Sequence, residues 1–220
     1  MKRSIVLAAV VWLWAGQAQA QTAGDVSLLP LDPPRWEISG DIGWLSSNKS
    51  EIGQSWQDWY DAVTGGAILG RYWTTHLKTE LRIATSGDMH LYEELPVSGS
   101  PPVFRLREHD FRKTTLASGA HYQFLENQWF HPQLGAGLEV EREADRQVTP
   151  RWPQYSAGAP LVLPEVPAST SIAWAVRPFV AAGFKWYVSE RAFVRSDVRV
   201  SIGTKGISYT AWTAGIGVDL

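Results

Sequence analysis

The chain has 220 residues, with 20 Lys+Arg against 22 Asp+Glu, a formal charge of -2 and no cysteine. That length suits one domain, possibly two; the charge excludes a strongly basic nucleic-acid binder, and the lack of cysteine excludes a disulfide framework and Cys-ligated zinc or iron–sulfur centres. At 45% hydrophobic and 19% charged residues the chain is not a disordered segment, and twelve Trp against two Met is a balance favoured at a lipid–water boundary.

Residues 1–20 read as a secretory signal peptide. Lys2 and Arg3 form a basic start, Ile5 to Trp14 an apolar stretch, and Ala18-Gln19-Ala20 a small-residue cleavage pattern. The apolar run is shorter than the ~20 helical residues that span a bilayer. Cleavage leaves 18 basic and 22 acidic side chains, a charge of -4. Past residue 20 no helix-length apolar run occurs, and period-two alternation recurs instead, the mark of strands with two different faces.

Eight such stretches follow in chain order. In 36–46, Trp36, Ile38, Ile42 and Trp44 alternate with Glu37, Ser39, Asp41 and Gly43. The stretch 62–73 is strand-like with open parity: either Ile68 and Tyr72 or Leu69 and Trp73 face outward. In 77–87, Leu77, Leu81 and Ile83 oppose Lys78, Glu80 and Arg82; 107–124 ends with Leu116, Ala120, Tyr122 and Phe124 against Lys113, Thr115, Gly119 and His121. In 130–141, Leu134, Ala136, Leu138 and Val140 oppose Gln133, Gly135, Gly137, Glu139 and Glu141. In 172–188, Trp174, Val176, Val180, Phe184 and Trp186 oppose Arg177, Ala181, Gly183 and Lys185. In 192–203, Val194, Val198, Val200 and Ile202 oppose Arg195, Asp197, Arg199 and Ser201, and in 207–220 Trp212, Ile216, Val218 and Leu220 oppose Thr213, Gly215, Gly217 and Asp219.

The intervals 47–61, 88–106 and 144–170 are long, whereas 74–76, 125–128, 189–191 and 204–206 are short. Long loops at one end and tight turns at the other predict an all-β, eight-stranded antiparallel up-and-down transmembrane β-barrel. An apolar-inside lipocalin-like cup has the same alternation. Two features favour the membrane barrel. The charged face is rich in glycine and alanine, which make room in a narrow interior but only weaken a solvent-facing strand. The tryptophans also fall in two belts, Trp36, Trp73, Trp129 and Trp186 near the short turns and Trp44, Trp174 and Trp212 near the long loops, as aromatic girdles do.

Gly135-Ala136-Gly137-Leu138, the run 181–187 before a tight turn, and the terminal Gly215-Ile216-Gly217-Val218-Asp219-Leu220 resemble the small outer-membrane barrels of Gram-negative bacteria, the OmpA/OmpX-like transmembrane barrels. The resemblance covers 36–220. It implies an N-terminal periplasmic segment at 21–35, an outer-membrane barrel domain at 36–220, and contact with outer-membrane lipid, lipopolysaccharide and the barrel-assembly machinery. It also implies a monomer without nucleic acid, cofactor or metal. Members of that group commonly end in an aromatic residue, where this chain has Leu220.

Parity sends six acids and seven bases into the lumen: Glu37, Asp41, Lys78, Glu80, Arg82, Lys113, Glu139, Glu141, Arg177, Lys185, Arg195, Asp197 and Arg199. Buried charges are tolerable when paired, so these predict an ion-pair network that plugs the bore; a network able to exchange partners would instead gate ions. A turn centred near Glu126 places Lys113 opposite Glu139 and His121 opposite His131, a two-ligand set that is incomplete as a metal site. An enzyme acting on lipid A would need a His-based constellation at the outer rim, and His109 with Ser86 or Glu143 is the nearest to one. No compact catalytic motif joins them, so no catalytic residue is assigned. The expected working surface is the loops 47–61, 88–106 and 144–170, with Trp56, Trp59 and Tyr60 in the first and Arg146, Arg151, Trp152 and Tyr155 in the last. The main expectation is a non-enzymatic barrel serving envelope integrity or surface interaction. A small gated ion channel, a lipid A-modifying enzyme and a soluble periplasmic lipocalin-like binder are the alternatives.

Overall fold

The computed structural model describes residues 36–48, 59–97, 103–125, 129–149, 154–156, 159–161 and 166–220. The expected signal peptide, the segment 21–35, and the loop residues Trp56, Arg151 and Trp152 lie outside the described residues.

The strands are β1 (Trp36–Asn48), β2 (Trp59–Tyr72), β3 (Leu77–Ser86), β4 (Met89–Val97), β5 (Val103–Gln123), β6 (Phe130–Val148), β7 (Gln154–Ser156), β8 (Ala159–Leu161), β9 (Ser169–Tyr187), β10 (Ala192–Gly203) and β11 (Gly206–Asp219). The sheet runs β3-β2-β1-β11-β10-β9-β6-β5-β4, and β3 also pairs with β5, which closes it. β3 and β4 are two stretches of one stave, because both lie against β5. The result is the expected eight-stave antiparallel barrel. β7 and β8 pair only with each other. Closing the sheet on itself satisfies every edge within the membrane, where no water is available to hydrogen-bond the backbone. At the seam, β1 and β11 run in register from Glu37↔Asp219 to Ser47↔Tyr209.

The outer face is apolar along every stave, with Ile216, Val176, Leu138, Ile42 and Ile83 all more than half exposed. A stretch of this size exposed on a water-soluble molecule would be an aggregation surface; facing hydrocarbon, it is in its own solvent. The seven girdle tryptophans all point outward. Trp129 and Trp186 pack with ring centroids 5.7 Å apart, and Arg71 lies over the Trp73 ring at 4.5 Å. The open parity of 62–73 resolves with Leu69 and Trp73 outward and Ile68 and Tyr72 buried inside.

Two prolines sit on the outer face. Pro132 supplies a carbonyl, accepting from Phe124 N at 2.8 Å, to close the turn between β5 and β6. Pro178 stands where β9 leaves β10, since Phe179, opposite Ser201, is the last β9 residue with a β10 partner. Proline is tolerated where a strand becomes an edge.

Glycine makes room inside. A Cβ at Gly135 would run into the His121 ring, and one at Gly217 into the Phe193 ring and Ser39.

Three expectations need correction. The β5–β6 turn is not centred near Glu126: with Gln123 opposite Gln133, Lys113 faces Glu143 and His121 faces Gly135. The Phe124–Pro132 bond sets this register, four residues away from the expected one, so His121 and His131 are not partners. The second correction concerns 88–106. It is largely sheet, because β4 and the start of β5 pair from Met89↔Phe111 to Val97↔Val103. The third concerns 144–170, whose two ends continue β6 and β9 from Ala144↔Ile172 to Gln147↔Ser169. Their ladder bonds outweigh the Pro- and Gly-rich composition of the tips.

The staves are therefore uneven. β5, β6 and β9 hold 21, 19 and 19 residues, whereas β1, β2, β10 and β11 hold 13, 14, 12 and 14. The surplus, about 20 Å of strand at ~3.3 Å per residue, stands at the long-loop rim as a raised wall of β4, β5, β6 and β9.

Candidate functional site

The lumen is filled in two storeys. The storey nearer the short turns is a charged web around Glu37, which is fully buried. Its Oε2 accepts from Lys78 Nζ at 2.8 Å, Lys185 Nζ at 2.9 Å and Tyr72 OH at 3.1 Å, and its Oε1 from Arg195 Nη1 at 3.0 Å. Glu80 holds Lys78 at 2.6 Å and takes both Arg195 Nη atoms at 3.3 and 3.2 Å. Arg195 also donates through Nε to Asp197 at 2.7 Å, and Gln133 caps the other Asp197 oxygen at 2.7 Å. Lys185 lies 3.3 Å from Asp219, which also accepts from Tyr187 OH. Each staggered strand contributes one or two inward positions, so long side chains from opposite walls meet at the axis. Nearly every charge has an opposite partner within hydrogen-bonding distance, which is what offsets the cost of its burial.

Halfway up, Arg82 makes a two-pronged bond to Asp41, both at 2.9 Å. Tyr209 OH donates to Glu139, and Arg199 lies 3.9 Å from the same carboxylate and 4.1 Å over the Phe179 ring. On the adjoining wall Lys113 bridges Glu141 at 2.6 Å and Glu143 at 3.2 Å, and Arg177 lies 3.4 Å from Glu141. Thus Glu80, Arg82, Lys113, Glu139, Glu141, Arg177, Arg195, Asp197 and Arg199 all point inward, in three neighbouring groups. A cavity of about 10 Å³ remains between Asp41, Arg82, His121, Arg195 and Arg199, room for one water molecule.

Above this, at the base of the raised wall, Leu45, Ala62, Met89, Leu91, Phe111, Tyr209 and Ala211 form a buried apolar layer. Inward parity on the β3–β4 stave changes from even at Ser86 to odd at Met89. The cause is one extra residue at Gly87-Asp88: Thr85 faces Thr114, but Met89 faces Phe111. Such a bulge re-aims the side chains that follow. Without it Met89 and Leu91 would face outward.

His109 does not meet Ser86 or Glu143 as the enzyme alternative needs. Its Nδ1 lies 3.1 Å from Asp145 and its Nε2 3.2 Å from Glu93, and the ring stacks on Phe111. Ser86 Oγ instead accepts from Lys113 N and donates to Gly87 O, each at 2.9 Å. Both ring nitrogens of His109 are thus held by carboxylates, and among the described residues neither is bonded to a hydroxyl.

The expected ion-pair network omitted Tyr72, Gln133, Tyr187, Tyr209 and Asp219, although Gln133 and Asp219 had the inward parity and that of Tyr72 was open. The tyrosine phenols reach the web because β2, β9 and β11 present those positions to the axis.

No protein-family model matches the sequence, and no curated protein matches it. Among solved structures it is similar to Neisserial surface protein A, with a TM-score of 0.55 and 15% identity over 84% of this chain and 97% of that one. The N-terminal β-barrel domain of Pseudomonas aeruginosa OprF is similar at a TM-score of 0.51 and 13% identity, over 84% of this chain and 97% of that one. At these identities the likeness is one of fold. The chain has the fold of the small eight-stranded outer-membrane β-barrels, and its outer face is built for lipid.

Proposed function

We propose that this protein is a non-enzymatic outer-membrane barrel, plugged by its lumen ion pairs, that acts at the cell surface through the raised wall of β4, β5, β6 and β9. The observation that carries the surface role is the wall itself. β5, β6 and β9 hold 21, 19 and 19 residues against 12 to 14 in β1, β2, β10 and β11, and β9 has no β10 neighbour from Ser169 to Pro178. The plug reading is supported by the near-complete pairing of the web and by the small space left around it. The short turns, beside which Leu220 N donates to Trp36 O at 2.8 Å, face the periplasm, and the wall faces away from it. The barrel is a monomer, inserted by the barrel-assembly machinery, with outer-membrane lipid and lipopolysaccharide against its belt.

The test replaces residues 94–106 by a tight turn. This keeps the Glu93–Arg107 pair and the apolar layer while removing the tip of the wall. Cells carrying the shortened protein should retain its heat-dependent gel mobility but lose attachment to surfaces or to one another. Unchanged attachment, with new detergent sensitivity in cells lacking the protein, would favour an envelope-integrity role instead.

A further inference from the structure

The outer face of the raised wall carries a cluster that the barrel does not use. His90 on β4 faces Asp110 on β5 directly, and Glu108 lies one step along, opposite Tyr92. His90 Nδ1 is 2.6 Å from Asp110 Oδ1 and 3.8 Å from Glu108 Oε1, and one ligand atom from each residue lies within 4.8 Å of the others. We propose that His90, Glu108 and Asp110 form a divalent metal site of the zinc class.

Four features carry this. First, one imidazole nitrogen and two carboxylates are a donor set for borderline transition metals. Zinc ligands at ~2.0–2.2 Å from the ion stand roughly 3.3 Å apart, so the observed 2.6 and 3.8 Å bracket the spacing needed and side-chain rotation suffices. Second, the ligands sit on two hydrogen-bonded strands, which fixes their backbones. Third, Tyr92 OH donates to Glu108 at 3.3 Å, the kind of supporting bond that orients a metal-binding carboxylate. Fourth, the charge is incompletely balanced: Arg146 on β6 stands opposite Asp110, but the two form no ion pair. The adjacent Arg112 is committed to Asp88 through two bonds of 3.0 Å, and among the described residues no lysine or arginine forms an ion pair with Glu108 or Asp110. The two carboxylates are anionic ligands whose charge a divalent cation balances. The imidazole is more than half exposed, leaving the remaining coordination positions to water or to a surface ligand.

The proposal is tested by titrating zinc chloride into the untagged, detergent-solubilised full chain by calorimetry, alongside His90→Ala and Asp110→Asn. The heat-dependent gel shift verifies that each variant is a closed barrel. The expected result is one saturable zinc ion per wild-type chain, with affinity at least tenfold lower in both variants. No saturable uptake by the wild type, or uptake unchanged by both substitutions, overturns the site. Because His90 and Asp110 face outward and lie outside the lumen, either outcome leaves the plug and the surface role to be judged separately.

Discussion

The two storeys of the lumen fill the same bore by different physics. Near the short turns, Glu37 gathers Lys78, Lys185 and Arg195 into one buried web. Under the raised wall, Met89, Leu91 and Phe111 pack as an ordinary core. The web is directional: each charge is stable only while its partners are in place, so it specifies strand register. The apolar layer tolerates changes of shape but excludes water. Together they place a charged layer below an apolar one in the same bore, the arrangement on which the proposed plug rests.

Removing the hub of the web should have the largest effect. Glu37→Ala leaves three cations without their shared partner, and the expected loss is about 3–5 kcal/mol, read as a lower urea midpoint by tryptophan fluorescence. If Phe111→Ala cost more than Glu37→Ala, the ranking of the two storeys would be reversed. Phe111→Ala opens a cavity in the apolar layer and should cost about 3 kcal/mol, with the web unaffected. Gly217→Val pushes a side chain against Phe193 and Ser39; overpacking of this kind costs about 1–3 kcal/mol and should show first as slower folding into detergent or lipid. The smallest effect belongs outside the barrel. Trp186→Ala breaks the Trp129 contact in the lower girdle and should cost about 1 kcal/mol, with no change in either storey.

Much of this was legible in the sequence for one reason: strand parity is strict. Once the apolar face is outward, Glu37, Lys78, Glu80, Lys185 and Arg195 must point to the axis. Which of them touch was not legible, because pairing depends on register, and register depends on turns. The Phe124–Pro132 bond moved Lys113 from Glu139 to Glu143. The apolar layer was hidden for a related reason. Asp88 reads as the start of a loop, yet Gly87-Asp88 is a bulge that flips the parity of Met89 and Leu91. The His90–Glu108–Asp110 cluster shares that fate, since its members meet only when β4 and β5 pair across a stretch whose Pro96, Gly99, Pro101 and Pro102 read as coil.

Whether the lumen is closed is decided by recording current across planar bilayers containing the purified protein, wild type beside the double variant Glu37→Ala, Phe111→Ala. The wild type should be silent, with discrete openings only when both storeys are breached. Regular conductance steps from the folded wild-type protein would contradict closure and make the ion pairs a gate.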